Sequence, residues 1–302
     1  MKKTSDFRAV AAVLAAILAA GVLALVAVAE PAEAAFPGTA GAIAFQRSAN
    51  GTIDIYRMNA DGFGQTKLTD TPGFNTEADW SADGGKIAFV NGSDIWTMNA
   101  DGSGETAVSN SPGLDNQPAW FPNGQKIAFV SNRDGGTKDI YVLSLNASGQ
   151  PIETTRLTSY REDLQGISVS PSGKKIAFAR DGEIYVMKPA PVSATNRPEK
   201  LTGNAATDAD PDWSPGGKRM IFMSDRTGDR EIFAMNADGS RETNITRNAA
   251  TDDQVPVYSP DGKKIAFRRN FSEIWRMRAD GSSAVQLTTG SGDARPSWQP
   301  LP

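Results

Sequence analysis

The chain has 302 residues, a formal net charge of −4, 29 glycines, 18 prolines, and neither histidine nor cysteine. The absence of these two residues excludes Ser-His-Asp and Cys-His catalysis, the usual zinc sites and all disulfide bonds. The small negative charge argues against a nucleic-acid partner, because nucleic-acid binding requires clustered Lys and Arg.

The N-terminal segment predicts export. Residues 9–29 form an unbroken apolar run, which follows Lys2, Lys3 and Arg8 and precedes Ala32-Glu33-Ala34. A basic start, an apolar centre and a small-residue cleavage site are typical of an export signal. We therefore expect residues 1–35 to be the signal and residues 36–302 to be one domain in the periplasm or outside the cell. An uncleaved membrane anchor is the alternative, because a run of this length can span a bilayer.

From residue 43 onward, variants of the motif Lys-Ile-Ala-Phe recur. The isoleucines stand at Ile43, Ile87, Ile127, Ile176, Ile221 and Ile265. Their separations are 44, 40, 49, 45 and 44 residues. Periods of roughly 40–45 residues are typical of four-stranded propeller blades.

The second repeat shows the predicted blade. Short apolar or alternating stretches predict strands at residues 86–90, 94–98, 106–109 and 117–120. The second of these strands begins with an acid, an isoleucine and an aromatic residue, a triplet found in all six repeats. We expect its acid to pair with a basic or backbone donor in a neighbouring strand.

A bulky residue ends the fourth predicted strand of the repeats. The positions are Trp80, Trp120, Val169, Trp213, Tyr258 and Trp298. Because a repeat must bury its faces against its neighbours, we expect these side chains to pack between blades. The strand with Trp298 has no Ile-Ala-Phe strand after it, and Ile43 has no Trp-bearing strand before it. The C-terminal strand is therefore predicted to enter the first blade and close the ring.

The repeat motifs also carry a family resemblance. Ser-Pro-Asp-Gly-Lys-Lys-Ile-Ala-Phe at residues 259–267 and Glu-Ile-Phe-Ala-Met-Asn-Ala-Asp-Gly at residues 231–239 resemble the TolB-type, WD40-like (PD40) propeller repeat. The resemblance covers residues 41–300. It implies an all-β fold, a six-bladed β-propeller of four-stranded blades.

The resemblance further implies a non-catalytic scaffold, a monomer, that binds a protein or peptide partner at the cell envelope, such as an envelope lipoprotein. The same repeat occurs beside serine peptidase domains, but this sequence shows no hydrolase domain or nucleophile motif. A carboxylate- or Ca²⁺-dependent propeller enzyme of the glycosidase or lactonase type is the alternative, because such chemistry needs no histidine. A propeller whose partner domain is encoded separately is a third possibility.

One set of polar residues forms a candidate binding ring. Five residues before the fourth-strand aromatic stand Asn75, Asp115, Asp208, Asp253 and Asp293. The third repeat breaks this pattern, and Asp163 is its candidate for the ring. In the resembled family this segment leads into the strand nearest the axis, so the acids are expected to ring one mouth of the channel. Such a ring would favour Ca²⁺ or a basic peptide. The alternative is that these side chains cap turns.

Asp208, Asp210 and Asp212 form a second candidate site, for Ca²⁺. Alternate residues of an extended stretch project to one side, as the acids of a calcium loop do. The glycine and distal glutamate of such a loop are missing. No other cofactor is indicated by the sequence.

Overall fold

The computed structural model describes residues 39–160, 164–248, 250–290 and 292–301. The chain divides into Met1–Glu33 and Ala34–Pro302, and every described strand belongs to the second unit. The predicted export signal lies outside the described residues. Within them, no helix has the length and apolarity needed to cross a membrane.

The described residues form twenty-four strands in six four-stranded antiparallel sheets. Blade 1 contains β1 (Thr39–Ala49), β2 (Thr52–Met58), β3 (Thr66–Lys67) and, from the C-terminus, β24 (Asp293–Leu301). Blades 2 and 3 contain β4 (Asn75–Trp80), β5 (Lys86–Asn91), β6 (Asp94–Asn99), β7 (Thr106–Ala107), β8 (Asp115–Trp120), β9 (Lys126–Ser131), β10 (Asp139–Leu145) and β11 (Pro151–Arg156). Blades 4 and 5 contain β12 (Leu164–Val169), β13 (Ile176–Arg180), β14 (Glu183–Met187), β15 (Glu199–Lys200), β16 (Asp208–Trp213), β17 (Arg219–Ser224), β18 (Glu231–Asn236) and β19 (Thr243–Asn244). Blade 6 contains β20 (Asp253–Tyr258), β21 (Lys264–Arg269), β22 (Glu273–Arg278) and β23 (Val285–Gln286).

The predicted six-bladed propeller is confirmed. The first strand of each sheet contacts the first strands of the neighbouring blades, so it lies nearest the axis. Each Ile-Ala-Phe motif lies in the second strand. We call Trp80, Trp120, Val169, Trp213, Tyr258 and Trp298 the aromatic set. The first five end the first strand of their blades, and Trp298 lies three residues before the end of β24. The outermost strand of blade 2 is shorter than the predicted 106–109, because the N–H groups of Val108 and Ser109 both turn to the carbonyl of Ile95.

Closure of the ring is also confirmed. β24 pairs antiparallel with β1, and Trp298 faces Ile43 in this pair. The same register is found inside blade 2, where Trp80 faces Ile87. The C-terminal strand is therefore the inner strand of blade 1. In the other blades, the inner strand directly precedes the second strand in the sequence.

The core lies between neighbouring blades. Six hydrophobic clusters are found, and each contains residues of two adjacent blades. The phenylalanine of every repeat is fully buried: Phe45, Phe89, Phe129, Phe178, Phe222 and Phe267. The expectation that Trp80 and its equivalents pack between blades is confirmed, so they belong to the framework.

The acid of the Asp/Glu-Ile-aromatic triplet pairs with a basic residue of the neighbouring outer strand in blades 1, 3 and 4, as predicted. The closest N–O distances are 3.0 Å for Asp54 with Lys67, 2.5 Å for Asp139 with Arg156 and 2.9 Å for Glu183 with Lys200. In blade 6 the acid, Glu273, instead accepts the indole N–H of Trp275 in its own strand. Where the ion pairs form, they tie strands together within a blade, so they support the fold rather than one ligand.

Candidate functional site

Five of the six predicted ring residues begin inner strands, at one end of the channel. All five are fully buried: Asn75, Asp115, Asp208, Asp253 and Asp293. The sixth, Asp163, lies outside the described residues.

Four of the buried carboxylates are paired with arginines of the adjacent strand or turn. The partners, with their closest N–O distances, are Asp293 with Arg47 (2.7 Å), Asp115 with Arg133 (2.7 Å), Asp208 with Arg226 (3.0 Å) and Asp253 with Arg269 (2.7 Å). In blade 2, the Asn75 amide instead donates to Asp54 at 3.3 Å. Since each carboxylate is matched by a guanidinium, the pairs add little net negative charge to the channel. A binding role for this ring stays a prediction.

The same arginines lie over aromatic rings of their own blade. The Arg47 guanidinium stands 5.0 Å from the Phe45 ring centre and 4.9 Å from that of Tyr56. Arg133, Arg226 and Arg269 make equivalent contacts. The repeated unit of acid, arginine and aromatic ring therefore stabilises the end of each of these blades.

The three acids of the candidate Ca²⁺ site have different surroundings. Both carboxylate oxygens of Asp208 accept hydrogen bonds from Arg226, and those of Asp212 accept from Ser168 and from the backbone of Tyr258. Asp210 lines the channel. Among the residues that the structure describes, no three acidic side chains are gathered as a metal would require. Ca²⁺ at these residues stays a prediction.

A different set of residues lines the channel. In each inner strand the third residue has a left-handed backbone conformation, with φ between 49° and 58°: Glu77, Gln117, Gly166, Asp210, Val255 and Arg295. The ladder to the second strand shifts register at or beside each position, as at a β-bulge. We call these six positions the bulge ring. Their backbone is alike, but their side chains are acidic, basic, amide, apolar or absent.

The bulge ring lies between two cavities. Five of its members line a cavity of about 470 Å³, the mouth cavity, together with Lys138, Arg230, Arg268 and Phe271. All six line a second cavity of about 180 Å³, the inner chamber, which also reaches the aromatic set. Within the bulge ring, Glu77 contacts the Arg295 guanidinium at 3.3 Å and accepts the backbone N–H of Gln117 at 2.6 Å.

Two carboxyl groups face the inner chamber and use the same contacts three blades apart. Asp79 accepts the backbone N–H of Trp120 at 2.8 Å and the Ser297 hydroxyl at 3.3 Å. Asp212 accepts the backbone N–H of Tyr258 at 2.8 Å and the Ser168 hydroxyl at 3.1 Å.

Their pKa values lie near neutrality. Burial raises the pKa of Asp79 to about 7, with a further increase from the charge of Asp212, against the hydrogen bond from Trp120. Burial likewise raises the pKa of Asp212 to about 6. Carboxyl groups in this range can hold or release a proton near neutral pH.

Neither the bulge ring nor the Asp79–Asp212 pair was predicted as a set from the sequence, which named Asp210 and Asp212 only as candidates for binding Ca²⁺. The available signal was variation: two residues after Asn75, Asp115, Asp208, Asp253 and Asp293 the residue type differs in every blade, whereas the aromatic residue three positions later repeats. Asp79 and Asp212 occur at equivalent places in repeats three apart, which the sequence shows only once the blades are aligned.

Comparisons with known proteins agree with the fold. Residues 168–301 match the family model of the PD40 TolB beta propeller domain. The chain is 38% identical over 94 residues to the Tol-Pal system protein TolB of Anaeromyxobacter dehalogenans, covering 29% of this chain and 21% of that protein. It is 29% identical over 178 residues to the Tol-Pal system protein TolB of Francisella tularensis subsp. tularensis, covering 55% and 39%.

Among solved structures, the crystal structure of TolB from Acinetobacter baumannii superposes with a TM-score of 0.72 at 19% identity, covering 86% of this chain and 67% of that one. The chain spans about a fifth to two fifths of the length of the two curated relatives. With its repeat motifs, the match of residues 168–301 to the family model and its closed six-bladed ring, the chain is similar to the TolB-like β-propeller proteins.

Proposed function

We propose that this chain is an exported, non-catalytic propeller that binds a protein or peptide partner at the cell envelope, through the mouth cavity. The observation that carries the proposal is the bulge ring. Six positions with the same backbone conformation carry different side chains, and five of them line the cavity of about 470 Å³. Since all blades share the framework, the residues that differ between blades are those that can specify a partner.

Apolar side chains at the same end of the channel support a protein partner. Phe74, Leu114 and Phe271 are 57%, 53% and 51% exposed, and each adjoins the start of an inner strand or the turn beside it. Exposed aromatic residues around a pocket are typical anchors of protein interfaces.

The envelope location rests on the N-terminal pattern and on the curated relatives, which are named as proteins of the Tol-Pal system. An envelope lipoprotein is the partner class that this similarity favours. The proposal applies to the propeller, because the relatives are longer than the matched segments.

The test is affinity capture of detergent-solubilised envelope proteins by residues 36–302, with two variants. The mouth variant carries Phe74→Ser, Leu114→Ser and Phe271→Asn, where asparagine suits the left-handed backbone of position 271. The control variant carries Phe63→Ser, Ile152→Ser and Val285→Ser, which are also exposed but lie on outer strands or the hairpins between them. We expect the mouth variant alone to lose the captured partner. Equal capture by both variants would contradict the proposal.

A carboxylate-dependent hydrolase is the second candidate, and the Asp79–Asp212 pair favours it. One group with a pKa of about 7 and another of about 6 match the roles of acid and base. We place it second because the oxygens of both carboxyls already accept protein hydrogen bonds. Chromogenic glycosides hydrolysed by the wild-type chain and not by Asp79→Asn or Asp212→Asn would establish it, and no hydrolysis by the wild-type chain would exclude it for those substrates.

A further inference from the structure

Three guanidinium groups converge on the mouth cavity, from Arg230, Arg268 and Arg295. The Arg230 and Arg268 groups lie over the same ring, 5.2 Å and 5.5 Å from the centre of Phe271. Arg295 is the bulge-ring residue of blade 1, and its guanidinium contacts the Glu77 carboxylate. Like charges are therefore held close together in a partly enclosed space.

These arginines differ from the framework arginines at the same end of the channel. Arg47, Arg133, Arg226 and Arg269 each have a buried aspartate. Among the described residues, neither Arg230 nor Arg268 has a carboxylate at ion-pair distance. Arg268 donates through Nη2 to the side-chain oxygen of Gln254, while its buried Nε has no acceptor.

The electrostatic balance of the cavity points the same way. Among the described residues, three guanidinium groups line it, from Arg230, Arg268 and Arg295, against the two acids Glu77 and Asp210. Burial lowers the pKa of Arg268, and the charges of Arg295 and Arg230 lower it further, against Asp210. A group held in its charged form under these conditions gains most from an added anion.

Two amide side chains in the same cavity indicate the kind of anion. The side-chain oxygen of Gln117 and the side-chain nitrogen of Gln254 are buried and have no hydrogen-bond partner among the described residues. Together they offer one acceptor and one donor, which suit the N–H and C=O groups of a peptide backbone. A phosphate monoester is chiefly a dianion at neutral pH and only accepts hydrogen bonds, so it would use the donor and leave the acceptor unmatched.

We infer that the mouth cavity is a carboxylate-recognition site, in which Arg268 and Arg230 bind an acidic side chain or the free C-terminus of an extended polypeptide. The planar guanidinium matches a carboxylate through two parallel hydrogen bonds. Phe271 supplies an apolar wall beside it. This inference rests on the proposed function and names the chemistry of its partner.

The test is calorimetric titration of residues 36–302 with three peptides: acetyl-Ala-Ala-Glu-Ala-Ala-amide, acetyl-penta-alanine with a free C-terminus, and the neutral acetyl-Ala-Ala-Gln-Ala-Ala-amide. We expect at least one carboxylate peptide to bind about tenfold or more tightly than the neutral one, since hydrogen bonds to charged groups have this strength. The first two arms distinguish a side-chain carboxylate from a C-terminal one.

Variants assign the binding to the cluster. Arg268→Gln should weaken the preferred peptide about tenfold, and Arg230→Gln should weaken it in the same direction. Arg197→Gln is the matched control, because it removes the same charge from an exposed loop between β14 and β15. Thermal melts check folding, and Arg230→Gln carries the test if Arg268→Gln does not fold.

Three results would overturn the inference: neither carboxylate peptide binding more tightly than the neutral glutamine peptide, equal affinities of Arg268→Gln and Arg197→Gln for the preferred peptide, or displacement of that peptide by equimolar inorganic phosphate. If these titrations fail but the mouth variant still loses the captured partner, only the carboxylate assignment is rejected. Failure of both would reject the proposed function as well.

Discussion

At the residue scale, the buried acids at the starts of the inner strands are compensated by ion pairs with arginines. Asp253 accepts two hydrogen bonds from Arg269, at 2.7 Å and 2.8 Å, and both side chains are buried. Removing one partner leaves an uncompensated buried charge, which costs more than the intact pair contributes.

We therefore expect Arg269→Met to lower the free energy of unfolding by about 3–5 kcal/mol. Denaturant unfolding measures this loss. Lys263→Met is the control, because the Lys263 ammonium is largely exposed and lies 3.7 Å from Asp261. Adding Asp253→Asn to Arg269→Met should recover part of the loss, and no recovery would contradict the account of the pair.

Asp79 predicts a pH dependence with a defined sign. Its folded pKa, about 7, lies above the ordinary aspartate value of 3.8. Between these values the folded chain holds a proton that the unfolded chain releases, so the contribution to stability is complete below pH 3.8 and is lost as pH rises through 7.

The wild-type chain should thus lose stability relative to Asp79→Asn as pH rises from 4 to 8, by at least about 1.4 kcal/mol, the equivalent of one pKa unit. Asp101→Asn, at an exposed site whose pKa is lowered by Ser103, should show no such loss. A constant difference between wild type and Asp79→Asn across this range would show that the proton is not retained.

Sequence reasoning found the acids of the predicted ring but not their pairing, because the arginines keep no fixed register. Arg47 lies four residues after Ile43, and Arg133 lies six after Ile127. The bulge ring could not be predicted from the sequence for a similar reason. A left-handed conformation is usually inferred from glycine, and Val255 and Glu77 give no such signal.

At the element scale, the turn after each inner strand is a contact point between blades. Gly84 and Gly124 occupy equivalent turns with φ of 66° and 65°. A Cβ at Gly84 would lie 2.0 Å from the carbonyl oxygen of Pro300 in β24, whereas nothing lies within 4 Å at Gly124. Both glycines have a left-handed backbone conformation, but only Gly84 lies against a neighbouring strand.

Gly84→Ala should therefore lower the melting temperature more than Gly124→Ala. Both variants lose about 1 kcal/mol from the left-handed conformation, and only Gly84→Ala must also displace the closing strand. Differential scanning calorimetry of the pair measures the difference. Equal losses would show that β24 tolerates the intruding methyl group.

The strand order was predictable because its signals are periodic and apolar. Isoleucine, phenylalanine and the inner-strand aromatic recur at blade length, and each is buried for the same reason in every blade. The cavities were less predictable, since they depend on side chains that only one or two blades carry.

At the scale of the whole propeller, closure by β24 joins the first and last blades. Without it, β1 would present an unpaired edge, and the core cluster that joins blades 6 and 1 would lose Trp298. A chain that stops at Gly290 should lose cooperative thermal unfolding, while removal of Pro302 alone should preserve it. An unchanged melting curve after truncation at Gly290 would contradict the closure account.

The same ring brings the surface proposed for binding to the axis. Six blades bring differing residues to one cavity, although those residues lie far apart in the sequence. The hydrophobic clusters lie between the blades and the proposed recognition residues lie at the mouth, so the recognition residues can vary while the clusters are retained.

The most direct test of the central claim uses the absence of cysteine from the chain. Leu114→Cys at the mouth and Phe63→Cys on the β2–β3 hairpin each introduce one exposed thiol that can carry a photo-crosslinker. With envelope proteins present, we predict a specific crosslinked adduct from position 114 and none from position 63. Adducts from position 63 alone, or equal adducts from both, would contradict binding at the channel mouth.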